Sequence, residues 1–233
     1  MRIWEEAWRR GSTLAVVIPT LNEAAHLVPT LRAVAVGEPE EVIVADGGST
    51  DGTANIAESL GARVVQADRG RACQMNAGAA ACSGGTLLFL HADTAPPADY
   101  RACVRGALGR PGVVAGAFRF ALRETVRGRR WIERLVALRC RVFAAPYGDQ
   151  GLFLRRECFE VLGGFPEWPI LEDVELVRRL KGLGRLHLDS ASAVTSGRRW
   201  QRRGLWRTTL INRRIMLGYH LGLPPERLKR LYD

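Results

Sequence analysis

Four acidic clusters stand where the chain pattern puts strand ends or helix starts. They are Asn22-Glu23, Asp46 within Asp-Gly-Gly-Ser-Thr-Asp-Gly (46–52), Asp93 within His-Ala-Asp-Thr (91–94), and Glu172-Asp173. Carboxylates fixed at such positions suit a hard divalent ion, Mg²⁺ or Mn²⁺, when phosphate oxygens of a ligand complete its shell. Each cluster also has a plainer reading. Asp46 and Asp51, with Ser49 and Thr50, can cap the following helix through its free N–H groups. Glu172 and Asp173 can complement a helix dipole from the first turn. What raises the chemical reading is the combination, because a parallel sheet gathers the ends of its strands on one rim.

The elements that would position these acids alternate regularly through the first half. Short apolar runs at Leu14–Ile18, Glu41–Ala45, Arg63–Gln66 and Thr86–Leu90 predict strands. Between them, helical patterns run from about Ala24 to Val36, Thr53 to Leu60 and Arg71 to Ala81. Strand–helix alternation of this kind predicts βαβ units in a mainly parallel, doubly wound sheet. The second half is less regular: Val113–Ala121 and Gly151–Leu154 read as strands, Arg127–Phe143 as a long basic helix. Leu171, Val174, Val177 and Leu180 recur at helical spacing, and Gly182 and Gly184 end that helix. No repeat or low-complexity linker interrupts the chain, so one domain over residues 1–233 is expected. Its first half would span about 12–110, and its second half, with basic C-terminal helices, about 111–233.

Composition narrows the class. The chain has 233 residues, 47% hydrophobic, and a formal net charge of +10. At 177–233 fall 14 of the 34 Lys and Arg but only 3 of the 24 Asp and Glu, so the excess belongs to the last quarter. A nucleic-acid protein usually spreads its basic residues over the binding element, and no nucleic-acid partner is expected here. No run reaches the ~18 apolar residues of a membrane span. The start, Met-Arg-Ile-Trp-Glu-Glu, lacks the apolar stretch of a secretory signal, which predicts a cytoplasmic protein. Five cysteines without C-x-x-C spacing read as reduced thiols. Fingerprints for dinucleotides, P-loops, zincins and α/β-hydrolases are all missing.

Taken in order, the motifs carry a family resemblance. Val-Ile-Pro-Thr-Leu-Asn-Glu (17–23), Ile-Val-Ala-Asp-Gly-Gly-Ser-Thr-Asp-Gly-Thr (43–53), Phe-Leu-His-Ala-Asp-Thr (89–94) and Leu-Glu-Asp-Val-Glu-Leu (171–176) resemble glycosyltransferase family 2, of the GT-A fold. Gly-Arg-Ala-Cys-Gln-Met-Asn-Ala-Gly (70–78), Tyr-Gly-Asp-Gln-Gly (147–151) and Ser-Gly-Arg-Arg-Trp (196–200) are most similar to a bacterial stand-alone subgroup linked to arsenosugar biosynthesis. The resemblance implies an α/β three-layer sandwich with a mostly parallel central sheet and a basic helical C-terminal extension. It also implies an inverting, metal-dependent transfer of a sugar from a nucleotide diphosphate, a UDP-sugar foremost, to an acceptor hydroxyl.

Residue by residue, it implies Asp173 as general base with Glu172 beside it, and Asp93 as metal ligand for Mg²⁺ or Mn²⁺. Pro19, Leu21, Glu23, Asp46, Arg71 and Asp93 would surround the nucleotide. Arg198, Arg199 and Trp200 would fold over the diphosphate as a lid, their guanidinium groups suiting phosphate oxygens. Asp149 and Gln150 would face the acceptor. Two positions depart from the family pattern. Gly47 stands where a second acid often contacts the base, and His91 replaces the first acid of the usual D-x-D.

Other readings remain open at this level. A nucleotidyltransferase shares this sheet topology but needs a Gly-rich basic loop after the first strand, which Pro19–Glu23 is not. A non-catalytic basic module binding polyanions is the third. From Leu205 to Leu217 the apolar residues form only a broad stripe: Ile211 and Ile215 fall off its main face and Arg213 interrupts it. Contact of this segment with anionic lipid at the inner face of the membrane, or with a lipid-linked acceptor, is an expectation of the same kind.

Overall fold

The computed structural model describes residues 13–123, 128–143 and 146–232. The first half builds as the pattern predicts. Strand β1 (Leu14–Thr20) lies centrally, paired in parallel with β2 (Glu41–Asp46) on one side and β4 (Thr86–Phe89) on the other, and β3 (Arg63–Gln66) pairs in parallel with β2. Helices α1 (Ala24–Ala35), α2 (Thr53–Ser59) and α3 (Arg71–Ala81) make the crossovers. β1 does not stop at Pro19 but runs through it to Thr20, opposite Asp46. The β1–β4 pairing ends at Val17 opposite Phe89, and Leu90 N–H donates to the Val17 carbonyl, so the side on which Pro19 lacks a donor has no strand to serve.

The second half completes one eight-stranded sheet in the order β3-β2-β1-β4-β7-β6-β8-β5. The predicted strands appear as β6 (Val113–Leu122) and β7 (Leu152–Arg155), with β7 running antiparallel to both β4 and β6. The short β5 (Thr94–Ala95) and the long β8 (Arg185–Thr195) close the far edge, β8 parallel to β6 and antiparallel to β5. Helix α4 (Tyr100–Leu108) precedes β6, α5 (Arg129–Phe143) follows it, and α6 (Arg156–Val161) follows β7. Position 127, expected to open the long basic helix, lies outside the described residues.

Both faces of the sheet are covered, giving three layers. In β1, Leu14, Val16 and Ile18 face α1 and α4 through Leu27, Leu31, Tyr100 and Val104, whereas Ala15 and Val17 face α3 and α7 (Glu172–Leu183) through Met75, Ala79, Leu176 and Leu180. This is the near-continuous apolar strand of a sheet buried on both sides. The C-terminal helices α8 (Arg198–Arg203), α9 (Leu205–His220) and α10 (Pro225–Tyr232) add a small separate core, in which Ile215 and Leu228 pack on Ile170, Leu171 and Val174 at the start of α7. Glu175 ties the two parts together. It accepts hydrogen bonds from Arg178, Arg179 and the Tyr219 hydroxyl, at 2.7–2.8 Å, and these hold its carboxyl down at about 2. No disulfide forms among the five cysteines.

The β6–β7–β8 ladder fits together only because position 116 has no side chain. A Cβ on Gly116 would meet the His187 backbone carbonyl and the Phe153 ring, each at 2.5 Å. Backbone cannot rotate away, so Gly116→Ala should cost about 1–3 kcal/mol as an overpacking change. Thermal denaturation should show a midpoint lower by about 3–9 °C, and an unchanged midpoint would contradict this account of the ladder.

Candidate active site

Beyond Thr20 and Asp46, strands β1 and β2 part, and the two loops that follow are joined by side chains. Asp46 is buried, and both its oxygens are engaged. Oδ1 accepts from the hydroxyls of Thr20 (3.0 Å) and Ser49 (2.5 Å), Oδ2 from the N–H groups of Gly48 (3.1 Å) and Ser49 (2.8 Å). Burial raises such a carboxyl, but these bonds outweigh it and hold Asp46 below its ordinary value. Asp51 accepts from Thr53 N–H at the start of α2 and from Ala24 N–H at the start of α1, each at 3.1 Å. Asn22 closes the seam: its Oδ1 accepts from Thr50 N–H (2.9 Å) and its N–H donates to Ser49 Oγ (2.8 Å).

At this rim lies a cavity of about 440 Å³. Pro19, Leu21, Glu23 and Gln74 line one end, together with Asp93 and Arg198. Gln74 Nε2 donates to the carbonyls of Thr20 (2.5 Å) and Ala45 (3.0 Å), so it stitches the parting strands together. A Cβ at Gly47 would lie 3.1 Å from this amide, so a side chain at position 47 would press on Gln74. Arg198, first residue of α8, reaches across the opening. Its guanidinium grips Glu23 as a fork, at 3.1 and 2.7 Å, and lies 3.2 Å from Asp93 Oδ2. Burial raises the Asp93 carboxyl against the pull of Arg198. Trp200 lines the same opening and packs on Phe120, ring centroids 5.8 Å apart.

The other end of the cavity is built around Asp173. Leu171 adopts φ 67°, a left-handed conformation that is strained for leucine, and turns the chain into α7 with Asp173 in its first turn. Asp173 Oδ2 accepts Gly148 N–H at 2.6 Å and Oδ1 accepts Val174 N–H at 2.8 Å, which fixes the carboxylate against the wall. On the other side of Gly148 stands His91, so a Cβ there would meet His91 Nε2 at 2.9 Å and Asp173 Oδ2 at 3.2 Å. Burial, with Arg71 and Arg198 nearby, pushes the His91 ring down to about 3, and it is neutral. Arg71 Nη1 lies 3.4 Å from His91 Nε2, and a guanidinium only donates, so Nε2 is the acceptor and the ring proton sits on Nδ1. Arg71 Nε pairs with Glu172 Oε1 at 2.7 Å.

Three expected residues are therefore placed away from the cavity wall. Asp46 has both oxygens occupied by its own loop and by Thr20 of β1. Glu172 is buried under Arg71, which it orients, and burial raises its carboxyl while Arg71 opposes the rise. Gln150 is buried and spends its amide on the Phe118 carbonyl, Tyr147 N–H and Arg139. Position 199 lies on α8, but its side chain is outside the described residues. Pro19, Leu21, Glu23, Arg71, Asp93, Asp149, Asp173, Arg198 and Trp200 all line the cavity. Sequence reasoning missed Gln74, Arg139 and Tyr147. Gln74 was marked by its spacing, since Arg71, Gln74 and Gly78 fall on one face of α3, turned to the sheet. Arg139 stacks 3.4 Å over the Tyr147 ring, eight residues further on and beyond the end of α5, a contact that no helical or strand spacing reveals.

Asp93 has one oxygen facing a guanidinium, so this position already attracts a cation. Among the described residues no group of three His, Cys, Asp or Glu could hold a metal by itself. That donor set fits a hard divalent ion taking most of its shell from phosphate oxygens and water, and does not fit an all-protein cage.

Residues 15–157 match the model of "Glycosyl transferase family 2". Over 104 residues the chain is 34% identical to glucosyl-3-phosphoglycerate synthase of Mycobacterium tuberculosis, a match covering 40% of this chain and 32% of that protein. The chain thus spans about a third of the length of that curated relative. A crystal structure of the same synthase with Mn²⁺, UDP and glucosyl-3-phosphoglycerate superposes with a TM-score of 0.67 at 22% identity, covering 94% of this chain and 84% of that one. A Pyrobaculum calidifontis mannosyltransferase with GDP-Man and Mn²⁺ gives 0.65 at 20%, covering 91% and 66%. These likenesses show the GT-A fold. With the family model matched over more than half its length, the chain belongs to glycosyl transferase family 2.

Proposed function

We propose that the protein is a metal-dependent inverting glycosyltransferase that moves a sugar from a nucleotide diphosphate, a UDP-sugar foremost, to an acceptor hydroxyl. The observation that carries this reading is one cavity lined both by a cation-attracting acid, Asp93, and by a fixed, half-buried carboxylate, Asp173. Pro19, Leu21 and Gln74 offer the nucleotide base an apolar edge and an amide. A divalent ion held by Asp93, Mn²⁺ or Mg²⁺, would offset the charge that gathers on the leaving diphosphate. Arg198 moves from Glu23 and Asp93 to the diphosphate oxygens, and Arg71 adds a second cation beside them. The bond from the anomeric carbon to the diphosphate breaks as the acceptor oxygen bonds to the opposite face of that carbon. Asp173 takes the acceptor proton, and the configuration inverts.

The acceptor side is walled by Arg139, Tyr147 and Asp149, and by Ile215, Met216 and Tyr232 from the C-terminal helices. It suits a hydroxyl acceptor carrying an apolar or lipid-linked portion, since apolar side chains face the space next to Asp173. Burial lifts the Asp149 carboxyl to about 6, with Arg139 opposing and Asp173 adding to the rise, and its Oδ1 has no hydrogen-bond partner. That unpartnered oxygen suits an acceptor hydroxyl.

Asp173→Asn should lower transfer by about 10²–10⁴-fold, the usual range for a lost general base, with UDP affinity retained in calorimetry. Full activity in this variant, or NMR showing a product with the donor's anomeric configuration, would refute the assignment. Arg198→Ala frees Glu23 and Asp93 and removes a phosphate contact. Mn²⁺ alone should then bind more tightly, and UDP about tenfold or more weakly, as expected for one charge-assisted bond. A carboxyl raised in the fold means that the folded state binds more protons between about pH 4 and 6, so stability falls as pH rises through that window. Asp149→Asn should melt higher than the parent at pH 8, and a difference as large at pH 4 would exclude this origin.

A further inference from the structure

Helix α5 has an apolar face that the described residues leave uncovered. Among the described residues Trp131 is 65% exposed, Leu135 43% and Leu138 58%. Residues turn by about 100° each along a helix, which puts these three within an arc of roughly 60°. Arg130, Arg134 and Arg141, all exposed, fall together on an adjacent arc of about 40°. The helix's opposite side is the packed one: Ile132 and Val136 pack with Phe120 and Leu122 of β6. Glu133, the acid of this helix, lies on that packed side, where it pairs with Arg129 at 2.8 Å and accepts Leu122 N–H. The outward surface is thus apolar with a row of arginines along its edge and no acid of its own.

We propose that the outer face of α5 lies on an anionic lipid surface, with Trp131, Leu135 and Leu138 entering the headgroup region and Arg130, Arg134 and Arg141 meeting lipid phosphates. The charge pattern selects this partner. A protein groove would ordinarily bring acids and apolar residues in a fixed arrangement, whereas a single arginine row beside a tryptophan and two leucines needs only a sheet of negative charge over an apolar layer. The helix is too short and too charged to cross a bilayer, and none of the described helices is long and apolar enough to do so. Helix α9 carries a similar arrangement. Its apolar residues split, Ile215 turned to the core and Leu210 and Leu217 exposed at 51% and 61%, with Arg207, Arg213 and Arg214 also exposed. The sequence stripe looked broad because it is two faces overlaid. Both helices give their inner sides to the cavity, α5 through Val136 and Arg139 and α9 through Asn212 and Ile215. Docking by α5 would hold the acceptor side next to the lipid. The inference deepens the acceptor reading above and is tested apart from it.

The full chain should be sedimented at low salt with vesicles of phosphatidylcholine alone or mixed with phosphatidylglycerol. It should pellet with the mixed vesicles only and be released at about 0.5 M salt, where the Debye length is only a few ångströms. Arg130→Gln/Arg134→Gln/Arg141→Gln should weaken binding by about fivefold per arginine. Leu135→Ser/Leu138→Ser should weaken it too, while melting temperature and UDP affinity stay at parent values, because these residues are exposed and away from the nucleotide end. Absence of binding to the mixed vesicles, or parent-like binding by both variants, would overturn the proposal. So would a parent dimer that Leu135→Ser/Leu138→Ser dissociates with vesicle binding unchanged, which would assign the face to a second copy of the chain. UDP binding is read separately, so loss of donor binding would fault the catalytic reading and leave this one standing.

Discussion

Parallel strands that end together leave their last polar groups with no ladder to join, in a place too buried for water to serve them all. That constraint governs the rim of this protein. β1 and β2 separate after Thr20 and Asp46, and Gln74 bridges the carbonyls of Thr20 and Ala45 across the gap. Asp46 gathers four donors, three from the loop that follows and one from Thr20 of β1, and Asp51 serves the starts of two helices. Buried polar groups without partners are costly, so these bonds fix the loops with little freedom. Glu23 and Asp93 then project from a rigid edge.

Much of this was legible in the chain, and the reasons for the rest are specific. Apolar runs announced β1, β2 and β4 because both sheet faces are covered. β8 escaped notice since Ser190, Ser192 and Asp189 break its apolar pattern and most of it is only half-buried. α4 follows Pro96-Pro97, and its Arg101 and Arg105 obscure the face on which Tyr100, Val104 and Leu108 are buried. Among the acids, sequence shows which ones reach the rim but not which oxygens are already taken. Asp46 and Asp173 look alike in their motifs. The first is saturated by its own loop and Thr20, the second keeps a place on the cavity wall. Glu172 and Asp173 are neighbours in a helix, and 100° of rotation sends one beneath Arg71 and the other into the cavity.

The charge asymmetry also resolves into structure. The near-neutral first three quarters hold acids at the rim, and the basic last quarter folds back to meet them. Arg198 is held by Glu23 and Asp93, and Arg178 and Arg179 are held by Glu175, which also binds Tyr219 of α9. Among the others, Arg207, Arg213, Arg214, Arg227 and Arg230 are exposed. The excess positive charge is therefore divided between closing the site and facing outward.

The Arg198–Glu23 pair joins residues 175 positions apart. A contact of that separation closes a very long loop, so it forms readily only after the sheet has brought Thr195 and the neighbouring α8 to the rim. During synthesis the sheet can be complete through β8 while α8 is still inside the ribosome, since domains begin to fold as they emerge. Until α8 has docked, Glu23 and Asp93 are without their arginine. The sheet can thus be assembled while this end of the cavity is still open, and closure of the site waits on the docking of α8.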